Sequence, residues 1–317
     1  MNALERELPG SARSAEASIP VKKRLNLSRL KESALAYFFL APSLAVFAVF
    51  LLYPMIKSIY LSFHLTDPRG RIAAYVGWEN FMNLFKSDAF WSSLTVTGKF
   101  ALLTVPTGIA LGLLMAALAH SRLRGMRIFQ FIFSLPLALS VSTASVIWMM
   151  LFHPTMGMFN YFLSLVGIEP VQWLTSSGTA LLSIAIMTLW MNSGFNFIVL
   201  LSGLQGISED IYDSAKIDGA GPIRTFVRLI LPLLSPTVFF LSVVSLISSL
   251  QSFGQIHLLT KGGPAGSTDV IVYSIYNEAF VNYQFGTGSA MAIVLFLIIL
   301  ALTVFQFTVL EKKVHYQ

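Results

Sequence analysis

The chain has no cysteine, and only 11% of its 317 residues are charged. The first absence removes a disulfide framework, thiolate metal sites and a cysteine nucleophile. The second excludes more. A soluble domain carries about 25% Asp, Glu, Lys and Arg; at less than half of that, polar side chains do not cover a globule, and much of the surface must face lipid. Neither a G-x-x-x-x-G-K-[ST] loop to cradle nucleotide phosphates nor a G-x-S-x-G turn to present a nucleophilic serine occurs. The five histidines, His64, His120, His153, His257 and His315, are scattered without an i, i+4 pair, so no metal site is expected. No low-complexity tract or internal repeat is evident.

What the chain has instead is long apolar runs, with 55% of residues hydrophobic. A transmembrane helix needs about 20 mostly apolar residues. Six runs qualify, near 34–63, 91–119, 128–152, 179–205, 229–256 and 287–310. The first is too long for a cleavable signal peptide, and no small-residue cleavage site follows it before Pro54. Pro42, Pro54, Pro106, Pro136 and Pro232 lie in these runs, where neighbouring helices can satisfy the backbone groups that proline frees.

The net charge of +6 is unevenly placed, with seven of the 21 Lys and Arg (Arg6, Arg13, Lys22, Lys23, Arg24, Arg29 and Lys31) preceding Ala34. A basic head can bind nucleic acid, but one followed at once by an apolar span holds the N-terminus in the cytoplasm. Residues 1–33 are therefore expected to form a disordered cytoplasmic tail, with membrane lipid and not nucleic acid as the neighbour. Six spans put both termini on one side. With the N-terminus inside, Arg122, Arg124, Arg127, Lys216, Arg224, Arg228, Lys312 and Lys313 join the head as cytoplasmic charges. Only Lys57, Arg69, Arg71, Lys86, Lys99 and Lys261 lie outside or at outer flanks, in agreement with the positive-inside rule. In the outer loop 64–90, "YVGWENFMNLF" suits a short interfacial helix. In the outer loop 257–286, Gly-Gly-Pro forces a turn, and Ser267 or Thr268 is placed to cap a short helix after it.

One polar stretch interrupts the greasy sequence: "EDIYDSAKIDGAGPIRTFVRLILP", Glu209 to Pro232. Ile207, Ile211 and Ala215 recur every four residues, flanked by Tyr212 and Ile217, while Glu209, Asp210, Asp213 and Lys216 fill the other faces. This is a short amphipathic helix. Gly219 is placed to end it in a left-handed cap, and Pro222 to begin a second helix. Such a short helix is marginal alone in water and needs something to pack against.

The order of residues here resembles the EAA motif of the membrane subunits of bacterial ABC importers: Glu-Ala-Ala, two residues, Asp-Gly-Ala, then an apolar helix ending in Leu-Pro. Asp213, Ser214 and Ala215 match the first part with two departures; Asp218, Gly219 and Ala220 match the second, and Leu231-Pro232 closes it. "YVGWENF", "LLTKGGPAGSTDVIVYSIYNEAF" and the C-terminal "FQFTVLEKKVHYQ" are similar to segments of the same subunits. The likeness covers about 34–317 and points to the carbohydrate and glycerol-3-phosphate importers. It implies the type I ABC importer permease fold, an all-α membrane protein of six transmembrane helices with a cytoplasmic coupling helix in 207–228. It further implies a bacterial inner-membrane location, a second homologous permease subunit, two cytoplasmic ATPase subunits holding ATP and Mg, and an extracytoplasmic solute-binding protein. The chain itself is expected to bind no cofactor and to catalyse nothing.

For the passage, Ser242, Ser245, Ser249 and Ser252 share one helix face, widened by Ser248, Gln251 and Gln255. Small serines also serve close helix packing. In the fourth run, Asn192, Ser193 and Asn196 lie beside Trp190, Phe195 and Phe197, a mixture suited to a polyol or sugar. The resemblance implies substrate contacts in these two regions, at Asn192, Phe195, Ser245, Ser248, Ser249 and Ser252; the polar side chains of Asn196 and Gln251 add those two residues to the expected path. The alternative is a secondary transporter of a polar solute driven by an ion gradient. That reading calls for an ionisable residue deep in a span, whereas Lys99 and Glu278 sit near span ends. A membrane enzyme calls for an acid, base or metal cluster at mid-depth, and an exporter for long cytoplasmic extensions.

Overall fold

The structure, a computed structural model, describes residues 27–120 and 125–313. Most of the expected basic tail, together with Arg122, Arg124 and His315, lies outside the described residues. Helix α1, Leu27–Phe47, begins seven residues before the expected end of that tail. The chain divides into two units, Met1–Pro54 and Met55–Gln317. In the first, α1 runs through Pro42 into a π-helical turn at Ala48–Leu52, and Phe38, Phe39, Leu44 and Phe50 are all exposed. Apolar side chains on every side of a helix are what lipid or another chain accepts and water does not.

The boundary between the units falls within α2, Tyr53–Ser62, the end of a helical stretch Tyr37–Ser62 long and apolar enough to cross a membrane. A two-stranded antiparallel hairpin follows, β1 His64–Thr66 and β2 Ile72–Tyr75, a small exception within a mostly helical chain. Its turn is local chemistry: the Asp67 carboxylate accepts the N–H groups of Arg69 and Arg71 at 3.0 and 2.7 Å. Next comes α3, Glu79–Lys86, the short helix expected from "WENFMNLF". Its Asn80 is buried and donates to the carbonyls of Ser62 and His64 at 2.8 and 3.1 Å, tying the helix to the root of the hairpin. Asn80→Ala leaves both carbonyls without that donor in a closed site. A loss of about 1–3 kcal/mol is expected there, visible as faster proteolysis of segment 64–75.

The long α4, Asp88–Ala119, runs about 48 Å from the hairpin end of the unit to its opposite end. Its buried face is a seam of small residues: Ser93, Thr97, Ala101, Thr104, Gly108, Gly112, Ala116 and Ala119 at helical spacing. Against this seam lies α8, Ala180–Gln205. Gly108 and Gly112 form a G-x-x-x-G pair that lets the two backbones approach; a Cβ on Gly112 would stand 2.7 Å from the Cβ of Asn196.

The expected third span is not one helix. Met126–Ser134 (α5), continued by a 3-10 turn to Ala138, and Val141–Leu151 (α6) meet at 104°. Pro136 lies in the 3-10 turn, and the Ser140 hydroxyl caps α6 by accepting the Thr143 N–H at 3.2 Å. Among the described residues, five helical stretches are thus long and apolar enough to cross a membrane, or six if the bent pair counts as one. After α6 come α7, Met158–Leu165, and then α8. The remaining elements are α9 Glu209–Ile217, α10 Pro222–Thr225, α11 Leu231–Leu233, α12 Ser235–Leu250, α13 Gly254–Leu259, α14 Ile271–Tyr276 and α15 Phe285–Phe305.

The cap expected from Ser267 or Thr268 does not form. The Thr268 hydroxyl is buried and donates to the Gly263 carbonyl at 2.7 Å, inside the turn that precedes α14. The Ser267 hydroxyl is buried without a partner. The first N–H of α14, on Ile271, is instead accepted at 2.8 Å by the hydroxyl of Thr97 on α4. The cap therefore comes from 174 residues away, where no local pattern reveals it.

Candidate functional site: connector helix and the polar seam behind it

Between α8 and α12 the chain leaves its long helices for the polar stretch. Ser208 caps α9, its hydroxyl accepting the Asp210 N–H at 3.3 Å. Glu209 and Asp210 occupy the first turn and Lys216 the last, each charge on the side that the helix dipole favours. At the other end Gly219 adopts φ +70°. Its N–H reaches the Lys216 carbonyl at 3.1 Å, and the Ala220 N–H reaches the Ala215 carbonyl at 2.9 Å. These two bonds are the Schellman motif, so the expected turn is present in full. Pro222 then takes the first position of α10. The N-terminal cap also has a local sequence signal, Ser208-Glu209-Asp210.

One face of α9 is spent on the fold. Ala215 and Ile207 are buried, with Ile211 and Tyr212 packed against the core around Ala116, Ala119, Leu200, Leu204 and Ile230. The Tyr212 ring stacks on His120 at 5.6 Å; its hydroxyl is buried without a partner, and burial pushes the phenol above its ordinary pKa. Asp213, Ser214, Lys216, Ile217, Asp218 and Gly219 are exposed, and Ala220 is half-buried. The Asp213–Lys216 ion pair, at 2.8 Å with both side chains largely in solvent, stabilises little. Ile217 and Ile223, on either side of the turn, are 86% and 80% exposed.

The expected passage residues divide. Asn192, Ser248 and Gln251 are exposed, Phe195 and Ser245 half-buried, and Asn196, Ser249 and Ser252 buried. Asn196 is held under the Gly108–Gly112 seam. Ser249 bonds Thr104 of α4 at 2.9 Å, and the Ser252 hydroxyl donates to the Ser248 carbonyl at 3.2 Å. Between α12 and α13 the helix is interrupted at Gln251, Ser252 and Phe253.

Residues 108–316, which hold the connector, the interrupted helix and the Gly108–Ala119 half of the seam, match the family model for the binding-protein-dependent transport system inner membrane component. The chain belongs to that family. Within it, the chain is 37% identical over 288 residues to the sn-glycerol-3-phosphate transport system permease protein UgpA of Yersinia enterocolitica, covering 90% of this chain and 97% of that one. It is 35% identical over 285 residues to the protein of the same name from Agrobacterium fabrum, covering 89% and 96%. Two solved structures share the fold. One is a chain of a bacterial alginate ABC transporter in complex with an alginate pentasaccharide-bound periplasmic protein, with TM-score 0.79 and 26% identity over 89% of this chain and 95% of that one. The other is a bacterial ABC transporter involved in alginate import, with TM-score 0.81 and 25% identity over 90% and 98%. Membership of this permease family makes the chain a membrane transport component and not an enzyme.

Thr97, Thr104 and Thr188 do structural work in this family member that the sequence reading missed. A threonine in a helix bonds its own i−4 carbonyl, and nothing local shows that its oxygen also receives a donor from another span. Hydrophobic periodicity places such a residue on a face without saying what lies opposite.

Proposed function

We propose that the chain is one of two membrane-spanning subunits of an ATP-driven importer for a sugar, an oligosaccharide or glycerol-3-phosphate. The names of its relatives supply the substrate class, and the connector carries the mechanism. A helix capped at both ends by its own residues is a rigid body, and Ile217 and Ile223 expose large apolar side chains beside its turn. Burying them against another protein is worth roughly 1.5–3 kcal/mol each. The chain lacks a phosphate-cradling loop, so ATP and Mg sit on two partner ATPase subunits, and their motion enters through Asp213, Ser214, Ala215, Asp218, Gly219 and Ala220. Residues 207–228 thus act as the coupling region of a transmembrane domain spanning 34–317, preceded by a basic tail. The connector and both termini face the cytoplasm of a bacterial inner membrane, the side that the Lys and Arg bias favours. The hairpin end meets a solute-binding protein. Closure of the ATPases opens the path outward, and Asn192, Phe195, Asn196, Ser245, Ser248, Ser249, Gln251 and Ser252 line or shape it.

The test has two parts. In intact cells, Lys86→Cys should react with an impermeant thiol reagent and Ser214→Cys only after lysis; reaction of Ser214→Cys from outside reverses the orientation. In vesicles holding the chain with its co-purified partners, uptake of labelled sn-glycerol 3-phosphate or a maltooligosaccharide should require ATP and survive a protonophore. Uptake that a protonophore abolishes, and that proceeds without ATPase subunits, establishes the gradient-driven alternative.

A further inference from the structure

The interruption at Gln251–Phe253 is bracketed by two buried hydrogen bonds to other spans. On its N-terminal side Ser249 of α12 meets Thr104 of α4 at 2.9 Å, and on its C-terminal side Gln255 of α13 meets Thr188 of α8 at 3.3 Å. All four residues are buried. Counting protons fixes the direction of both bonds. The Thr104 hydroxyl donates to the Phe100 carbonyl and the Thr188 hydroxyl to the Ile184 carbonyl, each at 2.8 Å. A hydroxyl has one proton to give, so both threonine oxygens are acceptors. Ser249 donates to Thr104, and the Gln255 amide donates to Thr188.

The single donor of Ser249 is therefore spent on the fold, and Ser249 faces α4. Exposed polar side chains lie at and beside the break, at Ser248 and Gln251, with Asn192 of α8 also exposed. Interrupted membrane helices present backbone and side-chain polar groups where a path needs them, and a break loosens the chain unless both ends are held. Here each end is held by a different span.

We infer that Thr104 and Thr188 are positioning residues, acceptors that pin the two ends of the interrupted helix so that Ser248 and Gln251 keep a fixed presentation to the transport path. The inference rests on the path reading above, and the experiment separates the two. Because the chain has no cysteine, Gln251→Cys is the only thiol on this chain, and its labelling in the assembled, membrane-embedded transporter is read on this chain after the subunits are separated. Its rate of reaction with a small charged methanethiosulfonate reports water access and mobility at the break without knowledge of the solute.

Thr104→Val and Thr188→Val keep shape and remove the acceptor. Each is expected to raise the Gln251→Cys reaction rate about threefold, the shift that an average interhelical hydrogen bond supports in a membrane, and roughly tenfold when combined. The rate at Lys86→Cys should stay unchanged. Thr104→Ser and Thr188→Ser, which restore the acceptor, should return the parent rate, an outcome that a packing defect does not produce. If Thr104→Val fails to assemble, Ser249→Ala removes the same bond from its donor side and should give the same rise. A Gln251→Cys rate indifferent to all of these substitutions overturns the positioning role and leaves the path intact. A Gln251→Cys thiol unreactive in the parent overturns the path reading, and the positioning role with it.

Discussion

Gly219→Val is expected to reduce uptake by roughly tenfold or more while the chain still inserts. A Cβ at this position meets no atom within 4 Å, so the penalty is not steric crowding against a neighbour. It lies in the backbone. At φ +70° an L-residue has its Cβ against its own carbonyl, at a cost of roughly 1–2 kcal/mol, and a β-branched side chain is a genuine outlier there. Relief comes only by opening the Schellman turn. That frees the Lys216 and Ala215 carbonyls and swings Ile217 and Ile223 out of register with each other. Gly219→Asn is the control, because Asn visits the left-handed region readily; it should retain most uptake. Co-purification of the ATPase subunits should fall with Val and hold with Asn. Normal uptake by the Val variant removes the coupling role from this turn.

Gly112→Leu is expected to act earlier, on assembly itself. Even the first carbon of a side chain would lie 2.7 Å from the Asn196 Cβ, 3.1 Å from a Leu200 methyl and 3.2 Å from the Asn196 carbonyl carbon. One of those neighbours is backbone, so the seam between α4 and α8 has to separate. Overpacking alone typically costs about 1–3 kcal/mol, and here it falls on the most extensive helix pair in the unit. The level of the membrane-inserted chain should drop severalfold, and uptake with it. A Cβ on Gly98 of the same helix meets nothing within 4 Å, and Gly98→Leu should express at the parent level. Equal levels for the two variants contradict the close approach at Gly112.

The apolar spans and the connector were legible because each leaves a mark on its own stretch of chain. A run of lipid-facing side chains, a glycine where φ is positive and a proline at a helix start are local signals. The bend in the third apolar run is not legible in the sequence because summed hydropathy does not register direction: "SLPLALS" keeps the window apolar while the chain turns through 104° at Pro136 to Ser140. The hairpin was missed although Asp67-Pro-Arg-Gly announces its turn. Ser242, Ser245 and Ser249 lie on α12, but the expected fourth member of their face, Ser252, falls in the interruption beyond the helix end at Leu250, and a face has two edges. Ser249 lies on the edge toward α4 and Ser248 on the exposed one, about 100° away around the same helix. Which edge meets a neighbour depends on residues more than a hundred positions distant, and no periodicity carries that.

The Thr97–Ile271 bond has a consequence for how the molecule is made. Chains emerge from the ribosome N-terminus first, so the acceptor on α4 is in place long before residue 271 is synthesised. Helix α14 closes its first turn with its own backbone, but the Ile271 N–H has no cap from the local chain, since Thr268 is committed to Gly263. It acquires that cap from a helix made long before it, so a surface formed late at the hairpin end is shaped in part by one of the first segments synthesised.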